Sequence, residues 1–154
     1  MHIRDATIDD AKAACLVMRR SIAELCIADH CNDPAILGRW LGNKTPEIFA
    51  SWLRQTGNNV LVASENDVLL AVGAVTDAGE ITLNYVSPDA RLRGVSRALL
   101  RAMETRASER GQTRCTLNST ETALRFYRSN GYTTDGPAAG HFGTTSGHPM
   151  SKTH

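Results

Sequence analysis

Arg91, Gly94, Ser96 and Arg97 belong to a segment, Arg91-Leu92-Arg93-Gly94-Val95-Ser96-Arg97, whose residue types suit the binding of an anion. Behind it Val95, Ala98, Leu99, Ala102, Met103 and Ala107 recur at three-to-four spacing, the pattern of a helix with one buried stripe, which predicts a helix starting near Leu92. The first N–H groups of a helix have no carbonyl partner within it, so they can donate to phosphate oxygens. Gly94 removes a Cβ where such a ligand must approach. Arg91, Arg93 and Arg97 add positive charge at a helix end that ordinarily disfavours it by about 0.3–1 kcal/mol per exposed side chain. A bound polyanion reverses that sign. The plainer alternative is a solvated face of Arg93, Arg97 and Arg101, with Gly94 easing a turn.

A second constellation lies in Glu24-Leu25-Cys26-Ile27-Ala28-Asp29-His30-Cys31-Asn32, where two thiols and an imidazole hint at a metal. Three groups so close along the chain cannot all converge without a fourth ligand, and Cys15, Cys26, Cys31 and Cys115 lack the close, paired spacing of a zinc site. No metal and four free thiols are expected. The formal net charge of +1 supplies no overall field for nucleic acid, although 14 of the 17 basic residues are Arg and seven of those fall between Arg91 and Arg114.

The elements that must position these groups are legible in outline. A chain of 154 residues with 42% hydrophobic content is read as one domain, 1–154, with one core. His2 to Thr7 reads as an edge strand, and Thr7-Ile8-Asp9-Asp10 as a cap before a helix over about residues 9–27. Asn32-Asp33-Pro34 opens a further helical region with Ile36, Leu37, Trp40 and Leu41. It breaks around 42–46 and resumes through Ile48, Trp52 and Leu53. Val60–Ala63, Val68–Val72 and Ile81–Val86 are strands joined by short turns, hence a meander. The Arg-rich helix, a strand over Arg114–Asn118, a short helix carrying Phe126 and Tyr127, and a final strand pair from about Gly131 to Lys152 complete the order. The strands either side of the Arg-rich helix are expected to be parallel and adjacent through a right-handed crossover, with the helix N-terminus at their carboxyl ends, where open α/β sheets bind ligands. The N-terminus has no signal-peptide pattern and no run reaches the roughly 18 apolar residues of a membrane span, so a cytoplasmic protein is expected.

Arg91-x-x-Gly94-x-Ser96 follows a strand, and Ala123-Leu124-Arg125-Phe126-Tyr127-Arg128-Ser129-Asn130-Gly131-Tyr132 comes one strand later. Together the two segments resemble the GNAT superfamily of N-acetyltransferases. Pro149-Met150-Ser151-Lys152 is similar to the family's last strand. Ser96 departs from the Gly or Ala the family prefers. The resemblance implies a mixed α/β fold, mostly antiparallel, with a central parallel strand pair splayed apart and flanked by helices. It also implies acetyl-CoA as co-substrate and a primary amine of a small molecule or peptide as acceptor, with a homodimer formed through the last strands.

By the same resemblance, the main chain at Tyr85 and Val86 would bond pantetheine and acetyl groups, and Arg91, Leu92, Arg93, Gly94, Val95, Ser96 and Arg97 would hold the diphosphate. Asn118 would fix the pantetheine or the acceptor, or else cap the helix that follows, with Ser119 or Thr120 as the other cap candidates. Tyr127 matches a position where the family often places a Tyr that protonates the leaving thiolate; packing beside Phe126 is the alternative. Some family members keep a glutamate base on the strand that Glu80 opens. Period-two alternation would put Glu80 on one face with Thr82 and Asn84, although turn chemistry after Gly79 explains it equally. Asp29 and His30, in a link that shapes the acceptor site in this fold, join Asn84 as candidate substrate contacts, with Arg20, Trp40, Asn43 and Lys44 nearby. Two other uses remain open: an acyl-CoA-binding regulator or longer-chain acyltransferase on the same fold, and a nucleic-acid-binding module built on the Arg-rich helix, whose affinity would depend strongly on salt.

Overall fold

The computed structural model describes residues 1–141 and 144–154. Strand β1 (His2–Asp5) leads through a 3₁₀ turn (Ile8–Asp10) into α1 (Ala11–Leu25), α2 (Ile27–His30), α3 (Pro34–Leu41) and α4 (Pro46–Arg54). The strands β2 (Asn58–Glu65), β3 (Val68–Thr76) and β4 (Ile81–Val86) then form the expected meander. A second 3₁₀ turn (Pro88–Ala90), α5 (Val95–Glu109), β5 (Arg114–Ser119), α6 (Leu124–Ser129), β6 (Thr133–Thr134), β7 (Ala139–His141) and β8 (Thr144–Thr153) follow.

The helix starts follow local chemistry. Asp33 Oδ1 accepts the N–H groups of Ala35 and Ile36 at 2.9 and 3.2 Å, with Pro34 in the first turn of α3. Thr45 caps α4 in the same way through Ile48 N. The single helix expected over 9–27 is instead divided. Its start is a 3₁₀ turn in which Asp10 accepts from Thr7 N at 2.8 Å and holds Arg4 in a bidentate pair, and Cys26, at φ −98° and ψ 31°, ends α1 before α2.

Two four-stranded antiparallel sheets result, β1-β2-β3-β4 and β5-β8-β6 with β7 on β8. The parallel contact expected between β4 and β5 is present at one end, as a bridge between Glu80 and Thr116 closed by Thr116 N donating to Gly79 O at 3.0 Å. Gly79 permits it: its φ is +88°, and a Cβ there would sit 2.5 Å from Arg114 O. Beyond that bridge no ladder joins the described residues of the two strands, which is the expected splay.

Side chains on β2 and β3 alternate between two helical layers. Leu61, Ala63, Ala71 and Val75 share one cluster with Leu99, Leu100, Met103 and Ala107 of α5. Val60, Val62, Val72 and Ala74 pack with Ala14 and Met18 of α1 and Phe49 of α4. Full burial of each large side chain of the α5 stripe contributes about 2 kcal/mol, which anchors α5 against the sheet and so fixes where its N-terminus points.

Candidate active site

A cleft of about 410 Å³ opens where β4 and β5 part, and it is lined from both helical layers. At one end lies the loop into α5. Leu92 and Gly94 are both left-handed, with φ 62° and 78°, so the helix begins at Val95 and not near Leu92. A left-handed L-residue cannot continue a right-handed helix. The first helical bond runs from Ala98 N to Gly94 O, which leaves the N–H groups of Val95, Ser96 and Arg97 without helical acceptors. Nothing lies within 4 Å of where a Gly94 Cβ would be. This cradle of N–H groups is therefore open.

Its charges are fewer than expected. Arg91 and Arg97 line the cleft, whereas Arg93 is turned outward to Glu65 at 2.9 Å. Arg97 Nε donates to Asn130 Oδ1 at 3.2 Å, which ties the cradle to the end of α6.

Midway along the cleft the main chain of β4 takes over. Ser87 N donates to Leu70 O of β3 at 2.7 Å, and the register pairs Tyr85 with Val72. Main-chain groups on an antiparallel strand alternate sides. Tyr85 thus spends its N–H and C=O on β3, while Asn84 and Val86 turn theirs toward the splay. The main chain of Val86 thus faces the gap between the strands, whereas Tyr85 contributes a side chain facing the opposite layer.

Tyr127 and Asn84 meet at the centre. Asn84 Nδ2 donates to Tyr127 Oη at 2.9 Å, so a lone pair of the phenol is occupied and its proton is free to point into the cleft. Burial pushes the phenol up to about 12, against the smaller opposing effect of the Asn84 bond, so it stays protonated at neutral pH. Tyr127 also packs edge-on against Phe126 and Tyr132, with ring centroids 5.3 and 5.6 Å away. The packing alternative is thus present, and the hydroxyl stays available at the cleft. Asn84 serves here as the partner of Tyr127, a role that a reading of strand faces alone did not supply. Asn118, exposed on β5, lines the facing wall. Of the cap candidates, Thr120 makes the bond that counts, accepting Ala123 N at 3.1 Å ahead of α6.

Three other candidates lie elsewhere. Glu80 is exposed and absent from the cleft lining. The register shifts between Ala74 and Val75, pairing Ala74 with Leu83 and Val75 with Ile81, so Thr82 is an extra residue and the alternation counted back from Asn84 is broken. His30 is buried, with Nε2 donating to Ile22 O at 2.8 Å and Nδ1 accepting Asn32 N at 3.0 Å; both ring nitrogens are used by the α1–α2 turn. Asp29 is buried too, and its carboxylate accepts Glu121 N at 2.6 Å, Thr122 N at 3.2 Å and the Thr122 hydroxyl. It joins α2 to the turn that carries α6, and a carboxylate so occupied does not read a substrate. Asp29→Ala leaves those donors unpaired and is expected to cost about 2–4 kcal/mol, lowering Tm by about 5–15 °C. A calorimetric Tm within about 2 °C of wild type would remove this role.

The far end of the cleft, unlike the cradle, has little motif-like sequence. Ser21, Leu25 and Cys26 from α1 and its end, Trp40 from α3 and the Tyr85 ring form it. Trp40 Nε1 donates to Tyr85 Oη at 3.1 Å. Burial pushes the Cys26 thiol up to about 12, which makes it a neutral wall and not a nucleophile. The described residues contain no group of three His, Cys, Asp or Glu placed to hold a metal ion.

A family model described as an acetyltransferase (GNAT) domain matches residues 38–154, which include every cradle residue, Asn84, Asn118 and Tyr127. The chain belongs to the GNAT acetyltransferase family. Solved structures carry the same fold along the whole chain of this GNAT domain. A GCN5-related N-acetyltransferase from Rhodopseudomonas palustris aligns with a TM-score of 0.87 at 23% identity over 99% of this chain and 95% of its own. The PaiA N-acetyltransferase of Thermoplasma acidophilum, solved in complex with coenzyme A, gives 0.85 at 18% identity over 99% and 98%. A ribosomal-protein-alanine N-acetyltransferase from Brucella melitensis gives 0.76 at 22% over 100% of each chain. No curated protein sequence matches the GNAT domain. Among its described residues no helix is long and apolar enough to cross a membrane.

Proposed function

We propose that this GNAT domain transfers the acetyl group of acetyl-CoA directly to a primary amine. The observation that carries the reading is the order of groups along one cleft: an open N–H cradle at residues 94–97, a free strand edge at Asn84 and Val86, then the Asn84-held hydroxyl of Tyr127. That sequence of groups suits a diphosphate, an amide-bearing arm and a thioester in turn, and the coenzyme A complex of the Thermoplasma neighbour lends it support.

Acetyl-CoA supplies the activated carbonyl. The protein's part is to hold and polarise. Backbone N–H groups of Val95, Ser96 and Arg97, with Arg91 and Arg97, bind the diphosphate. The main chain of Val86 pairs with the arm as an added strand would, and that of Asn84 is directed at the acetyl end. Tyr127 donates its hydrogen bond to the departing sulfur. Full proton transfer from a phenol at about 12 to a thiolate of ordinary pKa, about 8.5, is uphill. The phenol therefore works mainly by stabilising developing negative charge in a dry site. With Glu80 outside the cleft and Asp29 and His30 committed to structure, the amine loses its proton to water and not to one of these side chains.

Isothermal calorimetry with acetyl-CoA tests the reading at its base. Saturable binding with one site per chain is expected; folded protein that takes up no acetyl-CoA would sink it.

A further inference from the structure

We propose that the acceptor taken by this cleft is a primary monoamine with an apolar body, aryl or alkyl, and not a polycation. The proposal rests on the acetyl-transfer reading above and names the class of amine that the far wall fits.

That wall presents hydrocarbon, sulfur and aromatic rings. Leu25, Cys26, Trp40 and Tyr85 form it, with the Ser21 hydroxyl as a small polar group among them. The polar ends of the two rings are engaged with each other, Trp40 Nε1 on Tyr85 Oη. A ring face is where an ammonium group would ordinarily be attracted, but Lys44 Nζ already lies 5.9 Å from the Tyr85 ring centroid. A cation brought to that ring from the cleft is repelled by this charge, although Lys44 itself lies outside the cleft lining.

Counter-ions for a polycation are missing from the same region. Among the described residues lining the cleft none is Asp or Glu, and its charged members are Arg91 and Arg97. Nearby carboxylates are paired: Glu24 and Asp89 with Arg20 at 2.9 and 2.8 Å, Glu121 with His148 at 2.6 Å, and Asp29 with the turn before α6. The sequence from Gly136 to His154 supplies none, since it contains neither Asp nor Glu. Burying an ammonium without a carboxylate is costly, and the group sheds its proton instead. That favours the free base, the form that attacks a thioester. A spermidine or an aminoglycoside must also place its remaining ammonium groups against this wall or beside the arginines, with no compensation.

The test is a panel of kcat/KM values at saturating acetyl-CoA, on protein whose acetyl-CoA binding has first been established by calorimetry. The probes are 2-phenylethylamine, hexylamine, spermidine, kanamycin and a tripeptide with an N-terminal alanine. The two monoamines are expected to exceed every other probe by about tenfold or more. Leu25→Glu, which puts a carboxylate on the wall, is expected to lower the phenylethylamine value and raise the spermidine value, changing their ratio by about 100-fold. Spermidine, kanamycin or the peptide matching the monoamines would overturn the proposal, as would turnover of none of the amines by protein that binds acetyl-CoA. An unchanged ratio in folded Leu25→Glu would also overturn it, since the wall would then not touch the acceptor. Failure to bind acetyl-CoA at all would instead remove the acetyl-transfer reading, and this proposal with it.

Discussion

Tyr127→Phe is expected to lower kcat by about 100-fold while leaving the dissociation constant for acetyl-CoA within about twofold of wild type. The phenol lines the cleft, and the ring that the substitution leaves behind keeps the edge contacts with Phe126 and Tyr132. What is lost is a donor aimed where negative charge develops on sulfur, the kind of interaction stronger in the transition state than in the ground state. The substitution also leaves Asn84 Nδ2 without its acceptor, so stability falls by about 1–2 kcal/mol, too little to unfold an ordinary domain. The pH profile supplies a second readout. Because burial holds the phenol near 12 instead of its ordinary 10.0, wild-type kcat should not decline through pH 10 from loss of this proton. The linkage has the matching sign: a raised pKa means that the unfolded chain loses the proton first, so this group's contribution to stability is complete below pH 10 and disappears as pH rises toward about 12. Steady-state kinetics of the two proteins, with acetyl-CoA binding measured alongside, decide it. A Phe variant with full kcat would leave Tyr127 only its packing role.

Gly94→Asp is expected to weaken acetyl-CoA binding by about 100-fold or more, which is about 2.7 kcal/mol, without a comparable loss of stability. Those two outcomes separate because the position is spacious but electrically specific. A Cβ at Gly94 meets nothing within 4 Å, so the packing survives. Asp tolerates left-handed backbone better than most residues and favours the start of a helix. The same carboxylate would lie on the three free N–H groups of Val95, Ser96 and Arg97 and repel a diphosphate brought to them. Gly94→Ala is the control, with the backbone strain and no charge, and should lose no more than about tenfold. Calorimetry of the three proteins reads the effect. Equal affinity in the Asp variant would place the diphosphate somewhere other than the α5 N-terminus.

The cradle was legible because it is local. Its Arg-x-x-Gly-x-Ser pattern and the apolar stripe behind it occupy consecutive residues, so spacing specifies helix, face and direction together. The meander was legible for the same reason, as short turns between apolar runs leave few topologies. Even here local conformation refined the reading: Leu92 and Gly94 are left-handed, and the helix starts three residues later than the stripe alone suggests.

The candidate catalytic and acceptor residues were less legible, because they depend on contacts between segments far apart in the chain. Asp29 and His30 have the right chemistry for a substrate site, but folding spends the carboxylate on amides more than 90 residues away and the imidazole on the end of α1. Glu80 fails through a single bulged residue, Thr82, which pairing with β3 creates and which no periodicity count within β4 contains. The bond between Asn84 and Tyr127 spans 43 positions, and the wall of Leu25, Cys26, Trp40 and Tyr85 gathers residues that read separately as ordinary core.

The sequence by itself determined the Gly-led start of α5, the order of elements and the family resemblance, since each is written in neighbouring residues whose spacing the backbone period converts into geometry. Only the tertiary structure decided which polar groups remain free for chemistry. Burial and pairing are properties of the whole packed chain, and a carboxylate, imidazole or phenol takes its role from the partner that folding brings to it.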